Sequence, residues 1–283
     1  MFPCINFDER FADFTSAWMT EHREEYKNFD AMEDDMPRIY MAFLNEPAKW
    51  LDGLTPGSYF TQYEDPKDLV DWLAAYGREG VPIPDLLLEQ IEFVGKPCEK
   101  RLLALLKDES EEVSAETRMT AISLLRSMGS TQPKMLYIGW QMNRQEDDEL
   151  ADNALESLAD MGAAAVQPML EALPKANTAG QAAMLDVLCG HPGNEQVFRT
   201  ALRLFETCPD RCALFASYLG KLEDDRALPA LIRRAQDDST SYLDYIELRS
   251  AIERLGGTAP ERDFSDDPAY EALSGLDSGF TVG

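Results

Sequence analysis

The segment Leu150 to Leu173, LADNALESLADMGAAAVQPMLEAL, sets the hydrophobic pattern for most of the chain. Leu150, Ala154, Leu155, Leu158 and Met161 recur at three- and four-residue spacing, which places them on one face of a helix. Gly162 follows, and glycine takes the left-handed conformation that ends a helix without a Cβ clash. Val166, Pro168, Met169, Leu170 and Leu173 make a second apolar face, with Pro168 expected near the start of that helix, where a missing N–H is tolerated. Two helices this short cannot bury both apolar faces on each other, so the segment requires stacked neighbours.

Neighbours of the same kind recur along the chain. Aligned on the glycine that ends each first helix, they fall at Gly95, Gly129, Gly162, Gly190, Gly220 and Gly256, separated by 34, 33, 28, 30 and 36 residues. The residue before each glycine is apolar: Val94, Met128, Met161, Cys189, Leu219 and Leu255. Each of the first five is followed within nine residues by a proline (Pro97, Pro133, Pro168, Pro192, Pro229), expected near the start of the second helix. The pattern predicts an all-α fold, an α-solenoid of helical pairs over residues 81–257, with second helices at 96–107, 132–145, 166–175, 195–206 and 227–236.

Residues 1–80 are patterned differently and read as a separate helical module. They hold 15 of the 27 aromatic residues. Phe7, Phe11, Phe14 and Trp18 mark an amphipathic first helix with Asp8 near its start. Pro37 opens a helix through Arg38 to Asn45 that Pro47 ends, and Pro56-Gly57 is turn chemistry. Asp65-Pro66 starts another helix, carrying Leu69, Val70, Trp72, Leu73 and Tyr76 and expected to stop at Gly77. Residues 258–283 are polar and acidic. A short capping turn is expected at Tyr270 to Leu273 and a loose tail from Ser274.

The repeats resemble the HEAT-like repeat superfamily, in particular its short-repeat branch of phycobilisome-lyase type. DNALESLADMGAAAVQPMLEAL and DDRALPALIRRA carry the resemblance, which covers Ile83 to about Gly257. The Trp, Leu-Gly and Tyr positions of tetratricopeptide repeats are missing, as is the ankyrin T-P-L-H signature. The resemblance implies an armadillo-type superhelix whose second helices line a concave face. It implies little about function, because the superfamily holds both scaffolds and a few enzymes.

Charge changes the picture. The 283 residues carry 52 acidic and 26 basic side chains, a formal charge of −26. That opposes unspecific binding to nucleic acid or anionic membrane, which needs a cationic footprint. No apolar run approaches the roughly 20 residues that span a bilayer, and the N-terminus MFPCINFDERF lacks the pattern of a secretory signal. Five cysteines, irregularly spaced and without C-x-x-C, read as thiols of a reducing compartment, so a cytoplasmic location is expected.

Candidate chemistry is sparse. His22 has Glu21, Glu25 and Tyr26 within a turn, but Met19 stands where a di-metal bundle would need glutamate, so a solvated helix face is expected. His191 lies in a Gly-His-Pro turn. Cys208 and Cys212 flank Pro209 without two further ligands for zinc. No metal or cofactor is expected, and the His-Glu pairs of the iron-dependent hydroxylases in the resembled superfamily are missing.

One distribution runs against the overall charge. The five predicted second helices carry 11 basic and four acidic residues. Part of this complements helix dipoles. Arg101, Arg199 and Arg203 are mid-helix and outside that explanation. The candidate binding residues on the expected concave face are therefore Arg101, Lys134, Arg144, Arg199, Arg203 and Arg233, with Tyr137 and Trp140 as an aromatic anchor. Such a trough favours an acidic peptide segment of a partner protein, since arginine clamps carboxylates bidentately. The expected function is a non-catalytic protein-binding scaffold. Two alternatives stay open: an enzyme of the superfamily directed at a DNA lesion or a pigment, and an acidic, immunity-type inhibitor of a basic protein.

Overall fold

The computed structural model describes residues 3–27, 29–108, 110 and 112–277. Among these residues all regular secondary structure is helical, with no strand. It divides into two compact units, Met1–Pro133 and Lys134–Gly283.

The first unit holds α1 (Phe7–Glu21), α2 (Phe29–Glu33), α3 (Met36–Asn45), α4 (Pro66–Glu79), α5 (Asp85–Val94), α6 (Lys96–Leu106) and α7 (Ala115–Ser127). Asn6 starts α1 by accepting from the Glu9 N–H (3.1 Å), and Asp65 starts α4 by accepting from the Lys67 N–H (2.8 Å). The core is aromatic. Phe7 packs on Trp50, Tyr59 and Phe60, and Phe60 lies edge-on to Trp72 at 4.8 Å. The buried polar ends are satisfied by the N-terminal segment before α1. The Trp72 indole donates to the Pro3 carbonyl (3.1 Å), and the Tyr76 hydroxyl donates to the Ile5 carbonyl and accepts from its N–H.

The boundary between units does not follow the compositional change at residue 80. Helix α4 belongs to the aromatic region by sequence, yet it packs on α5, α6 and α7. Gly77 does not end this helix, as its position had suggested. It lies inside α4, where an added Cβ would sit 1.8 Å from Thr117 Oγ1, and the helix ends at Gly80 with φ +64°. A glycine here serves close approach of α4 to α7.

The second unit holds α8 (Lys134–Met142), α9 (Glu149–Asp160), α10 (Ala163–Ala172), α11 (Thr178–Leu188), α12 (Glu195–Thr207), α13 (Cys212–Lys221), α14 (Leu228–Gln236), α15 (Tyr242–Arg254) and α16 (Pro268–Asp277). Helix α8 packs on α9 and α10, α11 packs on α8, α9, α10 and α12, α12 on α13, and α15 on α13, α14 and α16. Helix α16 extends into the stretch expected to be a loose tail, and residues 278–283 of that tail lie outside the described residues.

Four of the six repeat glycines end a first helix with positive φ: Gly95, Gly129, Gly162 and Gly256. Two do not. After α11, Gly190 keeps negative φ and Gly193 takes the left-handed position (φ +92°) three residues later. Gly220 lies within α13, where a Cβ would meet Ala251 Cα of α15 at 3.1 Å, and Glu223 (φ +55°) makes the left-handed turn instead. Gly220 thus lies in the last turn of α13, one residue before its end, and serves helix packing there while Glu223 supplies the left-handed turn. Pro168 also differs from expectation. Helix α10 starts at Ala163, so the proline falls inside the helix.

Candidate functional site

The eight residues expected on a basic concave face are held in several different ways. Arg101 is exposed on α6 of the first unit, and the other seven belong to the second unit. Lys134 is half-buried at the first position of α8. Tyr137 is fully buried, its hydroxyl has no hydrogen-bond partner among the described residues, and burial pushes its phenol well above the ordinary range. It is a core residue, not a surface anchor. Trp140 stacks obliquely on it, ring centroids 5.4 Å apart, and is half-buried.

The arginines are largely engaged. Arg144 is buried, its side chain 5% exposed, and it holds together the turn between α8 and α9. Its guanidinium donates to Gln141 Oε1 (3.1 Å), to the Gln145 carbonyl (3.2 Å) and to Asp152 Oδ1. Arg199 donates to Glu195 Oε1 one turn earlier (2.6 Å). Arg203 donates to Gln181 Oε1 on α11. Arg233 is exposed on α14. Three of the five arginines expected to clamp a ligand thus already have acceptors within the chain.

What the second unit does bring together is a groove of about 490 Å³ on its first helices. Its apolar floor is Leu155 of α9, Ala179, Ala182 and Ala183 of α11, and Leu214 and Tyr218 of α13. The walls are acidic: Glu146 and Asp147 from the α8–α9 turn, Asp152, Asp186, and Asp210 from the 3-10 turn Pro209–Arg211. Arg144 and Arg211 also line it. Arg144 is tied to Asp152, and Arg211 lies 3.9 Å from Glu146 with its guanidinium over the Phe215 ring. Five carboxylates against two arginines leave the groove with an excess of negative charge. Burial, helped by the Asp186 charge, pushes the Tyr218 phenol well above its ordinary range, so it stays neutral.

Local sequence explains this placement. The α8–α9 turn is NRQEDD, and Asp148 caps α9 by accepting from the Ala151 N–H (3.0 Å), which leaves Glu146 and Asp147 projecting at the rim. Alanines at 179, 182 and 183 keep the α11 face low. The charge of the second helices does not reveal this groove, because the acids that wall it come from turns and first helices. The signal available in sequence was the acidic turn itself.

The other candidates resolve simply. His22 caps α1, and its ring stacks on Trp18 at 4.0 Å with Nδ1 3.0 Å from the Trp18 carbonyl. Tyr26 turns to Asp35 and Arg38 instead. Cys208 is half-buried and Cys212 buried, both free thiols. Among the described residues no group of three or more His, Cys, Asp or Glu is arranged to hold a metal ion, and no helix is long and apolar enough to cross a membrane. No protein-family model matches the chain, and no curated protein matches it in sequence.

Proposed function

We propose that this protein is a non-catalytic, cytoplasmic binding scaffold of HEAT-like helical pairs, and that the acidic groove of its second unit receives a lysine- or arginine-bearing segment of a partner protein. The observation that carries this reading is the groove's construction: an apolar floor of Leu155, Leu214 and three alanines beneath five carboxylates. Lysine and arginine have an alkyl stem and a charged end, and so match an apolar floor with an anionic rim. The formal charge of −26 works in the same direction, steering cationic partners toward the surface. The reading reverses the sign of the ligand expected from the second helices, because Arg144, Arg199 and Arg203 have acceptors of their own.

The test is a fluorescence-polarisation titration with a labelled nonapeptide of alternating lysine and leucine, against its glutamate–leucine counterpart. The basic peptide binds, the acidic one does not, and added salt weakens binding. Asp147→Asn combined with Asp210→Asn, both at the exposed rim, weakens it about tenfold or more. Equal affinity for the two peptides, or binding indifferent to the double substitution, overturns the proposal.

A further inference from the structure

The first unit has a pocket of its own, about 300 Å³, at the end of α3. Phe14 of α1, Phe43 of α3 and Trp50 supply its aromatic walls, and Pro47 and Pro56 close it. Arg10, Asp13 and Glu46 are its polar groups. Phe14 and Phe43 meet edge to face at 5.5 Å. The backbone fixes Trp50. It lies in the 3-10 turn Lys49–Leu51, which Asp52 ends at φ +54°, and the loop is closed by the Ala48 N–H on the Leu54 carbonyl (2.9 Å). Phe7 presses edge-on against the indole at 5.5 Å, and buried Leu51 anchors the turn. The walls are therefore organised in advance of any ligand.

The charges inside this pocket are arranged unusually. Arg10 lies one turn before Asp13 on α1, a spacing that permits an ion pair. It does not make one. Its guanidinium sits over the Trp50 ring, 5.5 Å from the centroid. Among the described residues, Asp13 and Glu46 have no cationic partner. The pocket thus already accepts one cation on an aromatic face, and two exposed carboxylates at its rim remain available for another.

We infer that this pocket binds the cationic side chain of a lysine or arginine presented by a partner protein. The alkyl stem lies along Phe14, Phe43 and Pro47, and the charged end reaches Asp13 and Glu46. A cation beside aromatic faces and carboxylates gains from both. Charge complementarity selects it over a neutral or anionic side chain, since Arg10 balances only one of the two carboxylates. The inference concerns the first unit alone and does not depend on the acidic groove of the second.

The test uses the four tryptophan indole N–H signals of the full chain in a proton–nitrogen correlation spectrum, with that of Trp50 assigned from a Trp50→Phe sample. The probes are Nα-acetyl-lysine amide, Nα-acetyl-arginine amide and, as the neutral isostere, Nα-acetyl-norleucine amide. The cationic probes shift the Trp50 signal saturably and leave the Trp72 signal in place. The norleucine probe binds about tenfold more weakly. Asp13→Asn with Glu46→Gln, both at exposed positions, removes the preference while the remaining spectrum stays unchanged. A norleucine response equal to that of lysine, a preference that survives the double substitution, or no Trp50 response into the tens of millimolar overturns the inference. Asp147→Asn with Asp210→Asn in the other unit leaves the Trp50 titration unaltered, so the two sites fail or succeed separately.

Discussion

Gly180 sits against the backbone carbonyl of Gln141: a Cβ on Gly180 would lie 2.0 Å from that oxygen. The contact joins the start of α11 to the end of α8. Asn177 completes the joint. Its side chain accepts from the Gly180 N–H (2.8 Å) and donates to the Arg144 carbonyl (2.9 Å), while its backbone N–H donates to the Met142 carbonyl (2.8 Å). Carbonyls left over at the end of α8 are thereby satisfied by the residue that caps α11.

Gly180→Ala follows directly as a test. Alanine favours a helix interior by up to about 1 kcal/mol over glycine, but no rotamer relieves a methyl against a carbonyl oxygen. Overpacking of this kind costs about 1–3 kcal/mol. The expected outcome is a net loss of stability in urea denaturation.

Arg144 and Arg199 separate a structural arginine from a surface one. Arg144→Ala leaves Gln141 Oε1 and the Gln145 carbonyl without their buried donor, at a cost of about 2 kcal/mol. Arg199, 76% exposed and paired one turn away, changes nothing measurable on truncation to alanine. Equal effects in urea denaturation would refute the assignment.

The repeat glycines divide in the same manner. Gly162 has φ +53°, so Gly162→Ala destabilises by about 1 kcal/mol. Gly190 lacks positive φ, but a Cβ there would meet the Val187 carbonyl at 3.3 Å, so Gly190→Ala is expected to cost less than Gly162→Ala by thermal unfolding.

Burial pushes the Cys98 thiol up to about 11 and the Cys189 thiol up to about 12. Few thiolates form there at pH 8, and access is closed as well. An aromatic disulfide reagent therefore labels half-buried Cys208 first, and Cys98, Cys189 and Cys212 react only after denaturant is added.

Asp267 accepts from the N–H groups of Tyr242 (2.8 Å) and Ala269 (2.9 Å), which holds its carboxyl below the ordinary value of 3.8. A lowered folded-state value contributes stability above the ordinary carboxylate range, and that contribution is lost as pH falls through the lowered value. Asp267→Asn should flatten the acid side of the stability profile, measured as urea midpoints from neutral pH downward.

Helix placement was legible in the chain because it depends on local spacing. The predicted second helices at 96–107 and 195–206 correspond to α6 (Lys96–Leu106) and α12 (Glu195–Thr207). A three-and-four apolar period bounded by Gly and Pro determines a helix without reference to anything distant. Glycine is where this reading divides. Gly162 and Gly256 end helices, whereas Gly77 and Gly220 admit a neighbouring helix, and one residue type answers both needs. Only the approach of Thr117 to Gly77, or of Ala251 to Gly220, distinguishes them. Charge behaves likewise. The sequence by itself determined how many arginines the second helices carry. The tertiary structure decided that Arg144 is spent on Gln141 and Asp152, and that Glu146, Asp186 and Asp210 converge on one groove, because the partner of a long charged side chain is set by whatever the packed helices bring within hydrogen-bonding reach.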